Sequence, residues 1–207
     1  KESRALPRTY LTGLNFLLNE QPDKAIDAFI EAVKIDNQTV ELHFALGSLF
    51  RRRGETDRAI RMHQNLIDRE DLSDEQRQHA LSELGLDFLK AGLLDRAEAV
   101  FVKLRGTRFN EFALNNLLDI YQQEKDWKKA IEIAEALPHH EGVLWEKEVA
   151  NFHCELAAAA MANSRFDEAM EGLGRALALN RKSVRANMLM GDLCASRDDD
   201  RAALEAW

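Results

Sequence analysis

Apolar and small residues recur along this chain in a pattern that repeats every thirty-odd positions. A short polar break is followed by an acidic residue, a variable residue and an alanine at Asp23-Lys24-Ala25, Asp57-Arg58-Ala59, Asp95-Arg96-Ala97 and Asp167-Glu168-Ala169. From Ala25 the alanines step by 34, 38, 33, 39 and 34 positions through Ala59, Ala97, Ala130 and Ala169 to Ala203. Twelve positions before each alanine stands a residue that is small in all but one case: Gly13, Gly47, Gly85, Leu118, Ala157 and Gly191. The residue just before that site is large and apolar at Leu46, Leu84, Leu117, Leu156 and Met190, with Thr12 the exception. Bulky residues follow three positions after it at Phe16, Phe50, Phe88 and Tyr121, with Ala160 and Cys194 weaker. Four after the alanine come Phe29, Phe101, Leu173 and Trp207, with His63 and Ala134 as departures. Spacings of three and four belong to helices, so each period predicts two of them.

A 34-residue helix–turn–helix period with small residues at these offsets is the mark of the tetratricopeptide repeat. The small residue on the first helix and the alanine on the second let two backbones approach, and the aromatic fills the space beside them. One such unit cannot bury its own apolar face, so neighbours must stack. The fold class expected is therefore all-α, a tetratricopeptide-repeat superhelix (α-solenoid) of about six repeats. It forms one array with units at about 6–39, 40–73, 78–110, 111–144, 150–183 and 184–207, the last incomplete. The Asp near the start of each second helix is expected to meet free N–H groups and the positive end of the helix dipole. Gly54 and Gly92 fall in turns where a left-handed residue is often needed, and Pro138 marks a helix end. Two longer links, around Asp71–Glu75 and His139–Gly142, are expected to be surface loops. In the first, Ser73 or Asp74 is placed to cap the next helix.

Composition narrows the function. The 207 residues are 45% hydrophobic and 31% charged, with only 3 Pro and 10 Gly, as expected of an ordered helical protein. The net charge of −8 argues against nucleic-acid binding, which leans on cationic neutralisation of phosphates. Cys154 and Cys194 lie too far apart for a zinc motif and read as small buried residues. The longest apolar run, Leu156 to Ala162, is far short of the roughly 20 residues of a membrane span. The chain opens on Lys1 and ends on Trp207 inside a predicted helix, and we expect it to be part of a longer protein.

Catalytic signatures are missing: no phosphate-cradling G-x-x-x-x-G-K loop, no H-E-x-x-H, no C-x-x-C and no G-x-S-x-G. Gly172-Leu173-Gly174 is half a dinucleotide fingerprint, but it falls in mid-helix. His139 and His140 with Glu141 read as a solvated loop before they read as a metal site. His43 and His153 share the fourth position of their repeats, where packing explains them better than catalysis. Asp198-Asp199-Asp200 reads as a capped turn. No catalytic residue, metal site or cofactor is expected in these residues.

Interaction chemistry is better supplied. The sharpest basic cluster is Arg51-Arg52-Arg53, followed by Arg58 and Arg61. In this repeat the inner wall comes from positions 2, 5, 9 and 12 of each first helix. These are Glu41, Phe44, Ser48 and Arg51, joined by Arg52; then His79, Ser82, Leu86 and Leu89; then Phe112, Asn115, Asp119 and Gln122. An aromatic and polar lining suits an extended peptide or a partner helix. Chaperone-tail clamps resemble Lys at position 5 with Asn at position 9, which no unit here carries. An open-ended stack also leaves self-association into a homodimer open.

Several stretches resemble one family beyond the bare repeat. Gly13-Leu14-Asn15-Phe16-Leu17-Leu18-Asn19 before Asp23-Lys24-Ala25, and Leu46-Gly47-Ser48-Leu49-Phe50-Arg51-Arg52-Arg53-Gly54-Glu55, are similar to the bacterial lipopolysaccharide assembly protein B family. So are Ala91-Gly92-Leu93-Leu94-Asp95-Arg96-Ala97-Glu98 and Phe152-His153-Cys154-Glu155-Leu156-Ala157. The resemblance implies a non-enzymatic adaptor on the cytoplasmic face of the bacterial inner membrane, held there by an N-terminal helix. It implies a C-terminal rubredoxin-like ribbon carrying zinc or iron in the full-length family, with neither anchor nor ribbon among these residues. It implies as partners the membrane AAA protease FtsH, the lipid A-committing deacetylase whose degradation the adaptor promotes, and other membrane proteins of the lipopolysaccharide pathway. The alternative is a generic peptide-binding repeat module or co-chaperone.

Overall fold

The computed structural model describes residues 8–35, 39–138 and 145–207, and these are helical with short turns. Twelve helices follow one another among the described residues: α1 (Arg8–Leu18), α2 (Pro22–Ile35), α3 (Val40–Arg52), α4 (Thr56–Ile67), α5 (Asp74–Lys90), α6 (Leu94–Leu104), α7 (Asn110–Glu124), α8 (Trp127–Ala136), α9 (Trp145–Ala162), α10 (Phe166–Leu179), α11 (Val184–Ala195) and α12 (Asp200–Ala206). No strand occurs among them. The helices alternate as the first and second members of tetratricopeptide hairpins.

The chain divides into two compact units, residues 1–113 and 114–207, with the division inside α7. In the first unit α1 packs on α2, α3 on α4 and α5 on α6, and α2–α3, α4–α5 and α3–α5 contacts link the hairpins. Ala25, Phe29, Leu42, Leu46, Phe50 and Ala59 share one buried cluster there. In the second unit α9 packs on α10 and α11 on α12, with α8–α9 and α10–α11 contacts between hairpins. Its buried cluster joins Ala157, Ala169, Leu173, Ala186 and Leu193.

The small residues are where close approach requires them. A β-carbon on Gly13 would lie 2.7 Å from the Phe29 ring, and one on Gly85 would lie 2.6 Å from the Phe101 ring. The alanines of the frame, Ala25, Ala59, Ala97, Ala130, Ala169 and Ala203, are all essentially inaccessible.

The turns inside the hairpins share one conformation. Gly54 and Gly92 are left-handed, at φ 79° and 74°. So are Glu20, Lys125, Ser164 and Asp198, with φ between 56° and 59°. Each of the six lies five residues before an alanine of the frame, so the geometry of the turn, rather than the residue in it, is what repeats.

Capping differs from expectation in part. Ser73 caps α5 in a full capping box with Gln76, as the link before it implied. Asp57, Asp95 and Asp167 sit inside the first turns of α4, α6 and α10, whose N-cap residues Glu55, Leu93 and Arg165 make no side-chain cap bond. These aspartates act through the helix dipole, not as caps. Asp126 and Asp199 do cap α8 and α12. Helix α8 ends at Ala136, two residues ahead of Pro138. The His139-His140-Glu141-Gly142 link lies outside the described residues.

Candidate functional site

Helices α3 and α5 are clamped by a buried ionic network. The Arg51 guanidinium donates to Glu83 at 2.7 Å and to Asp87 at 2.8 Å, and also to the Glu83 carbonyl at 3.2 Å. Ser48 donates its hydroxyl to Glu83 at 3.1 Å. From beneath, Nδ1 of His63 on α4 meets the other Asp87 oxygen at 2.5 Å. His63 and Asp87 are fully buried, while the Arg51 and Glu83 side chains keep 17% exposure. Burial alone would raise the Glu83 carboxyl, but hydrogen bonding and attraction from Arg51 outweigh it and hold the group below its ordinary range. Burial likewise pulls against the charge on Arg51, and its two carboxylates more than restore it.

His63 occupies the place that Phe29 and Phe101 fill in other repeats. Its Nε2 edge faces Gly47, where a β-carbon would lie only 2.4 Å away, and that nitrogen has no hydrogen-bond partner. The imidazole thus fills an aromatic's volume on one side and meets Asp87 at hydrogen-bond distance on the other.

This network revises part of the expected inner wall. Arg51 faces two carboxylates of its own chain, so it clamps α3 to α5 and is not available to a partner as a lone cation. Ser82 is 3% exposed and donates to the His79 carbonyl at 2.8 Å, which removes it from the accessible surface. Glu41 and Arg52 are exposed, whereas Phe44 and Ser48 are half-buried. Beside the clamp a groove of about 590 Å³ is lined by Arg51, Arg52, Leu86, Leu89 and Lys90. Its floor is leucine and its rim carries the exposed cations Arg52 and Lys90. The repeat frame points to Arg51, Arg52, Leu86 and Leu89 of this lining; Lys90 lies one residue outside the wall positions.

An aromatic file crosses the same unit. Phe44 stacks on His79 with centroids 4.2 Å apart, and His79 lies parallel to Phe109 at 6.1 Å. Phe109 meets Phe112 edge-on at 6.5 Å, and Phe112 is 37% exposed. The Arg108 guanidinium covers Phe109 at 4.9 Å and pairs with Glu75. Periodicity placed Phe44, His79 and Phe112 here, but not Phe109, which sits in the turn before α7.

In the second unit Asn115 and Asp119 are exposed on α7 and Gln122 is half-buried. Partial burial lifts the Asp119 carboxyl above its ordinary range. Cys154 and Cys194 are free and buried, and burial raises the Cys154 thiol, the reverse of what a reactive thiolate needs. Among the described residues no group of three or more His, Cys, Asp or Glu is placed to hold a metal ion. No described helix is long and apolar enough to cross a membrane.

The chain is similar to known proteins. The tetratricopeptide repeat family model matches residues 42–77, the hairpin that carries Arg51 and His63. Lipopolysaccharide assembly protein B of Escherichia coli K12 is 44% identical over 206 residues, 99% of this chain and 53% of that protein. The protein of the same name from Haemophilus influenzae is 39% identical over 200 residues, 92% of this chain and 50% of its own. The chain thus spans about half the length of the curated relatives it matches. Among solved structures, a tetratricopeptide repeat protein from Parabacteroides merdae superposes with a TM-score of 0.59 at 13% identity, covering 96% of this chain and 76% of that one.

Proposed function

We propose a function from one premise: over the stretch it spans, this chain belongs to the lipopolysaccharide assembly protein B family. It serves as a non-enzymatic protein-interaction scaffold in lipopolysaccharide assembly. In the finer reading it is an adaptor on the cytoplasmic face of the inner membrane, anchored by an N-terminal helix. There it brings the lipid A-committing deacetylase to the protease FtsH and so restrains lipopolysaccharide synthesis. A C-terminal metal ribbon is part of the same reading of the full-length protein.

The observation that supports a scaffold is the groove beside the α3–α5 clamp. Its leucine floor and its cations Arg52 and Lys90 are presented by two helices that buried ion pairs hold in fixed register. A surface ordered before binding loses little entropy on association. Its chemistry fits a partner segment with apolar side chains and acidic flanks.

The test is co-purification. Intact protein carrying Arg52→Glu and Lys90→Glu is expected to lose at least tenfold in capture of the protease or the deacetylase, with helicity and melting unchanged. Wild-type protein that captures neither overturns the adaptor reading.

A further inference from the structure

Contacts between α3 and α5 advance in step along both helices. Phe44 stacks on His79, Ser48 bonds Glu83 and Arg51 bonds Asp87, so the two helices run parallel. Their C-terminal ends therefore lie side by side, and each carries cations in its last turn: Arg51 and Arg52 on α3, Lys90 on α5. Arg51 is engaged by Glu83 and Asp87, and the neighbouring Arg53 by Asp23 and Glu55. Arg52 and Lys90 are exposed and bond no described residue. No carboxylate lines the groove that they border. The groove is thus charged at one end, and the charge there is positive. Away from that end its floor is Leu89 and then Leu86, one helical turn apart on α5.

This lining selects the form of the guest as well as its charge. Arg and Lys side chains only donate hydrogen bonds, and Leu does neither. The carbonyls of Arg51 and Leu89 are already taken by the N–H groups of Gly54 and Gly92. An extended peptide would bring backbone N–H groups to leucines and cations that cannot accept from them, and such groups need partners. A helix satisfies its backbone internally and presents only side chains. Laying an apolar stripe into a groove is its usual mode of docking.

Direction follows from the dipoles. A helix antiparallel to α3 and α5 sets its own N-terminal turn beside their C-terminal ends. Acidic side chains are favoured in a first turn and disfavoured in a last one. Only the antiparallel guest can therefore carry, at no cost to its own helix, the carboxylates that Arg52 and Lys90 lack.

We propose that the groove takes a partner helix antiparallel to α3 and α5, with Asp or Glu in its first turn and large apolar residues one and two turns further on. The carboxylates meet Arg52 and Lys90, and the apolar stripe lies on Leu89 and Leu86. This rests on the reading of the same groove as the partner-binding surface and adds the guest's form, polarity and sequence pattern.

The probe is acetyl-Glu-Glu-Glu-Leu-Ala-Gln-Leu-Leu-Ala-Gln-Leu-Ala-amide, held helical by a hydrocarbon staple on the face away from its leucines and titrated into the intact chain. Its counterpart has the three Glu residues moved to the last turn, with the same staple and composition. The first is expected to bind at least tenfold more tightly than the second. Arg52→Glu with Lys90→Glu should remove that preference with melting unchanged; if that variant fails to fold, Arg52→Ala with Lys90→Ala should do the same. A nitroxide on the N-terminus of the first peptide should broaden the amides of Arg52 and Lys90 and spare those of Phe44 and His79. Equal binding of the two peptides overturns the proposal, as do binding of neither, broadening at the Phe44 end, and equal binding of an unstapled peptide with Pro at its centre. If the peptides fail in any of these ways while partner capture still depends on Arg52 and Lys90, the groove remains the partner surface and only the helical guest is wrong. If that capture is insensitive to both cations, the underlying reading falls too.

Discussion

Gly85 and Phe101 divide one volume between them: a β-carbon on the glycine would stand 2.6 Å from two atoms of the phenylalanine ring. The same sixteen-residue step joins Gly13 to Phe29, Gly47 to His63 and Gly191 to Trp207. Where the first partner grows, the second shrinks. Leu118 is answered by Ala134, and Ala157 by Leu173, and all four are buried. The departures of His63 and Ala134 from the aromatic pattern are thus opposite in kind. Ala134 gives up volume to Leu118, whereas His63 keeps a ring and adds a bond to Asp87.

Gly85→Ala is expected to destabilise the protein by about 1–3 kcal/mol through overpacking. Adding Phe101→Leu, which copies the Ala157–Leu173 pair, should restore part of that loss. Urea unfolding of the two single variants and the double variant measures the coupling. Strict additivity would mean that the two side chains do not compete for space.

The two neighbouring arginines should behave differently. Arg51→Met leaves Glu83 and Asp87 without their cation, and breaking a buried pair from one side typically costs about 3–5 kcal/mol. Because Arg51 and Glu83 keep some solvent contact, the lower end of that range is expected. Arg52→Glu, on an exposed side chain, should leave stability within about 0.5 kcal/mol of the wild type. Thermal melting of the two variants separates them. Equal effects would mean that the clamp on α3 and α5 contributes nothing.

Ser164 turns through φ 57° with a side chain, at the place where Gly54 and Gly92 do so without one. A left-handed residue with a β-carbon costs about 1–2 kcal/mol. Against this, glycine adds freedom to the unfolded chain. Ser164→Gly should therefore raise stability by about 0.5–1 kcal/mol, while Gly92→Ser should lower it. Denaturant midpoints test both, and a midpoint for Ser164→Gly below the wild type would refute the strain.

Acid should weaken the fold in two windows. His153 is held below its ordinary 6.5, so the unfolded chain takes up that proton first. Its contribution is full above 6.5, falls as pH drops through that value, and levels off once the folded ring protonates. Glu83 is held below 4.5 and acts in the same sense lower down: full above 4.5, lost as pH falls through the folded value. Stability measured from pH 8 to 3 should show both declines. His153→Gln should remove the upper one and Arg51→Met should shrink the lower. A flat profile between pH 7 and 5 in the wild type would contradict the buried, neutral His153.

Helix pairing could be read from the chain because it depends on neighbours close in sequence. The spacing of Gly13, Ala25 and Phe29 is set within one hairpin, so a 34-residue window holds all the information the packing needs. The turn glycines Gly54 and Gly92 were legible for the same reason, and so was a cap at Ser73 or Asp74, between which the structure chooses Ser73. The groove residues Leu86 and Leu89 followed from the frame, since a helix face is a matter of period.

The partners of charged groups were not legible. Arg51 reads in the sequence as one of three consecutive cations at a helix end. The carboxylates that engage it lie 32 and 36 residues away, and only the packing of α3 against α5 brings them within reach. His63 looks like a lapse from the repeat until Asp87 is seen to need it. Apolar periodicity is set by helix geometry and survives any exchange of one oily residue for another. A Coulomb interaction depends on distance and burial, which exist only once the hairpins have stacked.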